Sequence, residues 1–223
     1  VVRNLLFKAG FDGALFHGWQ SQQNARSVQG ELCSAWYRLT GEKPVITGCS
    51  RTDAGVHANE FYFNVKTEST IPEASFCAAL STKLTDEISL YSCCEVREDF
   101  NARFDCIKKE YKYIICDSPV ISPFLRNRAL HKKHRLDAEL MNSAAAHFVG
   151  TYDFSAFCAS SFSSLRRRRD THAGPYLQNI PAMKILSATG PSLGPVVWKL
   201  SPGCAEKQFR LRQSFQSARP MSG

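Results

Sequence analysis

Apolar and polar positions along the chain switch period several times, and each switch marks an element. Leu5, Leu6 and Phe7 open an apolar run that stops at the turn pair Asp12-Gly13, the pattern of a first strand. Val28, Leu32, Ala35, Trp36 and Leu39 then recur at helical spacing. Ser27 stands before them as an N-cap and Gly41 after them as a stop. Val45-Ile46-Thr47 reads as a short strand, and Phe61, Phe63 and Val65 alternate with Tyr62, Asn64 and Lys66 as a half-buried one. Pro72 suits a first helical turn, after which Phe76, Leu80 and Leu84 recur every four residues. Ile88 to Glu95 closes the series as a strand. Strand, helix, strand, strand, helix, strand is the order of a ferredoxin-like unit.

A second α+β unit begins further on. Tyr111 to Cys116 is rich in aromatic and β-branched residues and reads as a strand. Asp137 is placed to cap a helix that turns Leu140, Met141, Ala144, Ala145 and Phe148 inward and ends at Gly150. Beyond residue 160 the pattern is lost. Ser, Gly and Pro make up 20 of the last 63 residues, Arg166 to Arg169 form one basic run, and only Ile180 to Leu186 and Val196-Val197-Trp198 hint at strands. Such composition struggles to bury enough apolar surface to offset chain entropy. The expected organisation is an N-terminal lobe over 1–104, the start of a second lobe over 105–160, and an atypical basic tail over 161–223, either disordered or read in a shifted frame.

Charge sharpens this division. The net charge is +8, yet residues 1–160 hold 18 basic against 18 acidic side chains, and residues 161–223 hold 10 against 2. Bulk charge therefore does not argue for RNA binding by the first 160 residues; local clusters such as Lys108-Lys109 and Arg126 to Arg135 would have to supply it. No run reaches the ~18 to 20 apolar residues of a membrane span. Nine cysteines without a CxxC spacing fit reduced thiols in a cytoplasm. His131 and His134 flank Lys132-Lys133, a solvated basic patch rather than a metal site.

Candidate chemistry sits between the two central strands, in Gly48-Cys49-Ser50-Arg51-Thr52-Asp53-Ala54-Gly55-Val56-His57-Ala58. A loop held between strands is a common seat for catalytic groups, and the residues around Asp53 suit a tight turn. On residue types alone, a surface loop whose Asp caps its own backbone and whose Arg pairs with it fits better. Arg51 to Ala58 resembles the signature of the tRNA pseudouridine synthase A family. Phe11-Asp12-Gly13, Phe16-His17-Gly18-Trp19-Gln20, Phe100-Asn101-Ala102-Arg103-Phe104, Tyr111-Lys112-Tyr113 and Gly150 to Phe157 match other stretches of that family in order. The resemblance covers roughly residues 1–160. A Gly-Asn-Gly-Phe-Leu-Tyr-like stretch, whose Arg pairs with the catalytic Asp in the family, has no counterpart in the tail.

The resemblance implies an α+β pseudouridine synthase fold with a mostly antiparallel mixed sheet. It also implies a cytoplasmic homodimer acting on uridines in the anticodon arm of tRNA. That isomerisation needs no redox partner or group donor, hence no cofactor and no metal. It needs a nucleophilic carboxylate, and an aspartate, ionised at neutral pH, supplies one. By resemblance Asp53 is the nucleophile, Tyr111 stacks on the flipped base and Arg51 engages RNA. His57 reads as structural, Arg103 as a possible RNA contact, and Trp19 with its Gln-rich loop as an RNA contact or an ordinary surface loop. The alternative for the whole chain is a catalytically inactive remnant with at most weak RNA binding.

Overall fold

The computed structural model describes residues 2–106, 108–148, 150–153, 177–180 and 209–214. They belong to two compact units, one running from Val1 to Glu110 with the strand that starts at Phe209, the other from Tyr111 to Gln208.

The first unit is a helix-backed sheet. Its elements are β1 (Arg3–Phe11), a 3-10 turn (Gly13–Leu15), α1 (Val28–Thr40), β2 (Ile46–Gly48), β3 (His57–Thr67), α2 (Glu73–Ser81) and β4 (Ile88–Val96). Strand β1 pairs antiparallel with β3 on one side and β4 on the other, and β2 pairs antiparallel with β3. After β5 (Lys108–Tyr113) the second unit supplies β6 (Ile115–Cys116), β7 (Leu130–His131), α3 (Ala138–Ala146), β8 (Gly150–Asp153) and β9 (Leu177–Ile180). The last strand, β10 (Phe209–Ser214), returns to the first unit and pairs parallel with the start of β3, setting Arg210 against His57 and Leu211 against Ala58.

The helices form where the residues ask for them. The Ser27 hydroxyl accepts from Gly30 N, and Gly41 closes α1 in the left-handed region at φ 75°. Val28, Leu32, Ala35 and Trp36 are its buried face. Phe7 of β1 stacks on Phe63 of β3 at 5.1 Å and meets Trp36 of α1 and Phe76 of α2 edge-on at 5.8 and 5.6 Å. Both helices therefore cover the same face of the sheet. Aromatic rings prefer such offset and edge contacts, and side chains this large dominate a core.

The opposite face carries a polar device. Asn4 and Asn64 are buried side by side on β1 and β3, and the Asn64 amide donates to Asn4 Oδ1 at 2.9 Å. Asn4 also donates to the carbonyls of Arg97 and Phe100, and Asn64 Oδ1 accepts from Ala102 N. Buried amides are tolerated when satisfied in this way, and here they pin the chain after β4 onto the sheet. Phe100 to Phe104 folds as a turn, with Asp105 accepting from Asn101 N at 2.7 Å.

The second unit departs further from expectation. Asp137 does cap α3, accepting from Glu139 N and Leu140 N at 2.9 Å each. The expected inward face holds only in part, with Ala145 buried and Met141 and Phe148 half-buried. Leu140 is 69% exposed, and Ala144 is exposed. Periodicity alone cannot decide which face finds a neighbour. Gly150 does not end the helix; it opens β8, which pairs antiparallel with β9. The Arg166–Arg169 run, Phe154 to Phe157, residues 181–186 and Val196-Val197-Trp198 lie outside the described residues.

Candidate active site

The loop between β2 and β3 is fastened on two sides. From the sheet, Cys49 N donates to the Tyr62 carbonyl at 2.9 Å, and Cys49 itself is fully buried. At the other end Val56 N donates to the Asp53 carbonyl at 3.3 Å, closing a four-residue turn. Its third residue, Gly55, has φ 78°, a conformation that glycine adopts without penalty. From outside the sheet, Trp19 N donates to the Thr52 carbonyl at 3.0 Å and Gly55 N to the Phe16 carbonyl at 3.1 Å. Gly18, at φ 91°, lets this outer segment approach: a Cβ there would stand 2.4 Å from the Thr52 carbonyl oxygen.

The outer segment is itself held by α1. A helix begins with amide groups that lack intrahelical partners. In α1 they are met by the Gly18 carbonyl, accepting from Val28 N at 3.2 Å, and the Trp19 carbonyl, accepting from Gln29 N at 2.9 Å. The Trp19 ring stacks on Phe61 of β3 at 4.2 Å. Arg26 completes the anchorage. Its guanidinium lies 4.6 Å from the Phe16 ring centroid, pairs with Glu31 at 2.7 Å and Glu87 at 3.3 Å, and donates to the Thr85 hydroxyl at 3.1 Å. Hydrogen bonds from the Thr85 hydroxyl and then from Arg26 hold the Glu87 carboxyl down at about 2. Helix, outer segment and loop thus form one connected frame.

From this frame Arg51 and Asp53 stand exposed, two residues apart on the same loop. His57, at the start of β3, is buried, with Nδ1 2.9 Å from Asp12 Oδ1 and accepting from Gly13 N at 3.2 Å. It ties β3 to the Asp12-Gly13 turn, which agrees with its reading as a structural residue. Tyr111 stands in β5, and its side chain lies outside the described residues. Arg103 is exposed, its guanidinium 5.6 Å from the Phe104 ring centroid. Trp19 is neither an RNA-facing nor a surface residue: it is 2% exposed and part of the core, while Gln20, Gln22 and Gln23 around it are exposed. Thr52, between the two exposed charges, has a buried hydroxyl oxygen without a hydrogen-bond partner. The sequence reading assigned no role to Gly18, Arg26 or Thr52, although Gly18 and Thr52 lie inside the quoted motifs and Arg26 has an acid five residues on at Glu31.

Among the described residues no group of His, Cys, Asp or Glu is arranged to hold a metal ion, and no helix is long and apolar enough to cross a membrane. The cysteines among them are free thiols. What the loop offers chemically is one carboxylate and one guanidinium on a rigid seat.

No protein-family model matches the chain. Curated proteins do. The chain is 44% identical over 163 residues to tRNA pseudouridine synthase A of Acetivibrio thermocellus, covering 73% of this chain and 67% of that protein. It is 41% identical over 162 residues to tRNA pseudouridine synthase A of a Thermoanaerobacter species, covering 73% and 66%. With the protein of that name from Ruminiclostridium cellulolyticum it shares 40% over 159 residues, covering 71% and 65%. The chain thus spans about two thirds of the length of the curated relatives it matches.

Proposed function

This chain belongs to the tRNA pseudouridine synthase A family, and from that premise we propose that it isomerises uridine to pseudouridine in the anticodon arm of tRNA with Asp53 as nucleophile. The reaction breaks the bond from uracil N1 to ribose C1′, turns the base, and joins C5 to C1′. The C5 hydrogen leaves as a proton and N1 gains one, so no electrons are exchanged with a cofactor. A carboxylate that attacks the nucleotide makes this two easier steps instead of one.

The observation that carries the reading is the seat of Asp53. Its turn is hydrogen-bonded at Thr52, Asp53 and Gly55, while the residue itself is exposed. A nucleophile that must meet a base flipped out of a stacked arm has to be accessible and fixed at once. Arg51 beside it takes an RNA phosphate or the space left by the base. Tyr111 stacks on the base, worth ~1–3 kcal/mol for an aromatic face. The working form is a homodimer, in the cytoplasm.

A second reading has its own support. About a quarter of this chain and a third of each relative lie outside the matched stretch. On that reading the chain is an inactive remnant that keeps the loop without the completed site. The experiment that decides is tritium release from tRNA labelled at uridine C5, the hydrogen the reaction must expel. Release by the chain, reduced by roughly a thousandfold or more in Asp53→Ala, is expected of a nucleophile. A folded chain that releases nothing makes the remnant reading correct.

A further inference from the structure

Thr52 is where the frame is incomplete. Its carbonyl is fixed by Trp19 N, and the backbone on either side is fastened through Cys49 N and Val56 N. Yet its Oγ1 is the one buried side-chain oxygen or nitrogen among the described residues without a hydrogen-bond partner. Desolvating a hydroxyl without pairing it is unfavourable, and such groups are uncommon enough in folded proteins to require a reason. Nothing about the turn itself requires a hydroxyl here, because the loop is tied by main-chain groups. A valine of the same shape would fill the position without an unpaired polar atom.

We propose that Thr52 is a positioning residue whose hydroxyl gains its hydrogen bond only when RNA engages the Asp53 loop, its partner then being an oxygen of the target nucleotide. The inference rests on the reading of Asp53 as the nucleophile. Arg51 and Asp53, its two neighbours, are exposed and both would meet the nucleotide. With the Thr52 carbonyl held, rotation of the side chain between staggered wells is the motion left to it. Threonine hydroxyls commonly donate to sugar and phosphate oxygens of nucleic acids. An interaction absent in the free protein and present in the complex is differential by construction, so it favours the engaged loop and holds Asp53 against its target.

Four forms of the full chain test this: wild type, Thr52→Val, Thr52→Ser and Asp53→Ala. Each is measured for its unfolding midpoint, for single-turnover tritium release from C5-labelled tRNA, and for tRNA affinity by filter binding. Thr52→Val is expected to unfold at or above the wild-type midpoint while releasing tritium roughly tenfold more slowly, and Thr52→Ser to recover to within about twofold. A structural hydroxyl satisfied by water would give the reverse, a lowered midpoint at an unchanged rate, and would overturn the proposal. So would a wild-type rate in Thr52→Val alongside a silent Asp53→Ala, which leaves the Asp53 reading standing. Should Asp53→Ala release tritium as the wild type does, the Asp53 reading falls and takes the inference with it. Should the wild type release none, the catalytic reading fails by itself and affinity decides. Then tRNA binding weakened roughly fivefold in Thr52→Val and restored in Thr52→Ser supports the role of the hydroxyl, and equal binding refutes it.

Discussion

Helices α1 and α3 begin alike and end differently. Each starts at an N-cap side chain, Ser27 or Asp137, that accepts from the first-turn amides. Helix α1 then buries Val28, Leu32, Ala35 and Trp36, whereas α3 buries Ala145 and leaves Leu140 exposed. Capping is settled within four residues of sequence; burial depends on what another part of the chain brings. The Asp53 loop belongs with α1. Its geometry comes from carbonyls at Gly18 and Trp19 that serve the helix and amides at Trp19 and Gly55 that serve the loop.

Substitutions separate the two helices by size of effect. Trp36→Ala removes a fully buried ring that stacks on Phe76 at 4.9 Å and meets Phe7, and should destabilise the first unit by ~3–5 kcal/mol in urea unfolding. An ordinary surface-sized loss would show that α1 is no better anchored than α3. The caps should behave as equals, Ser27→Ala and Asp137→Ala each costing ~1 kcal/mol, read by hydrogen exchange of the first helical turn. Acid should loosen the side of α1 through one carboxylate. Glu87, held at about 2 against an ordinary 4.5, contributes stability that is fully present above pH 4.5 and lost as pH falls toward 2. Replacing it by Gln should flatten that part of the acid titration of the first unit. Leu140→Ala should change stability by less than ~0.5 kcal/mol, since the side chain already faces water.

What was legible in the sequence follows the same division. Ser27, Gly41 and the stripe from Val28 to Trp36 gave α1 because cap, stop and period are local. Phe61, Phe63 and Val65 gave β3 for the same reason. The burial of Trp19 was not legible, because it sits among exposed amides and its partner Phe61 lies 42 positions away. Asn64 read as a polar strand position and Asn4 lay just before the first apolar run, and nothing local showed that they face each other and a returning chain. Asp53 stood out through the string around it, while the frame that seats it draws on Phe16, Trp19 and, behind them, Arg26. The strand β10 was missed although Phe209-Arg210-Leu211-Arg212 alternates, since polar and turn-forming residues surround so short a run.

That last strand has a bearing on how the protein comes to be made. Strands β1 to β4 and their two helices lie within the first hundred residues, so all their pairings, the widest from Asn4 to Val96, can form while the rest of the chain is still being made. The parallel pairing of Leu211 with Ala58 closes a span of about 150 residues, whose entropic cost must be met before any contact rewards it. On the ribosome the α1 side of the molecule is complete long before β10 emerges. The edge of β3 next to the Asp53 loop is therefore the last to be covered, and newly made chains pass through a stage in which that edge is open to other strands.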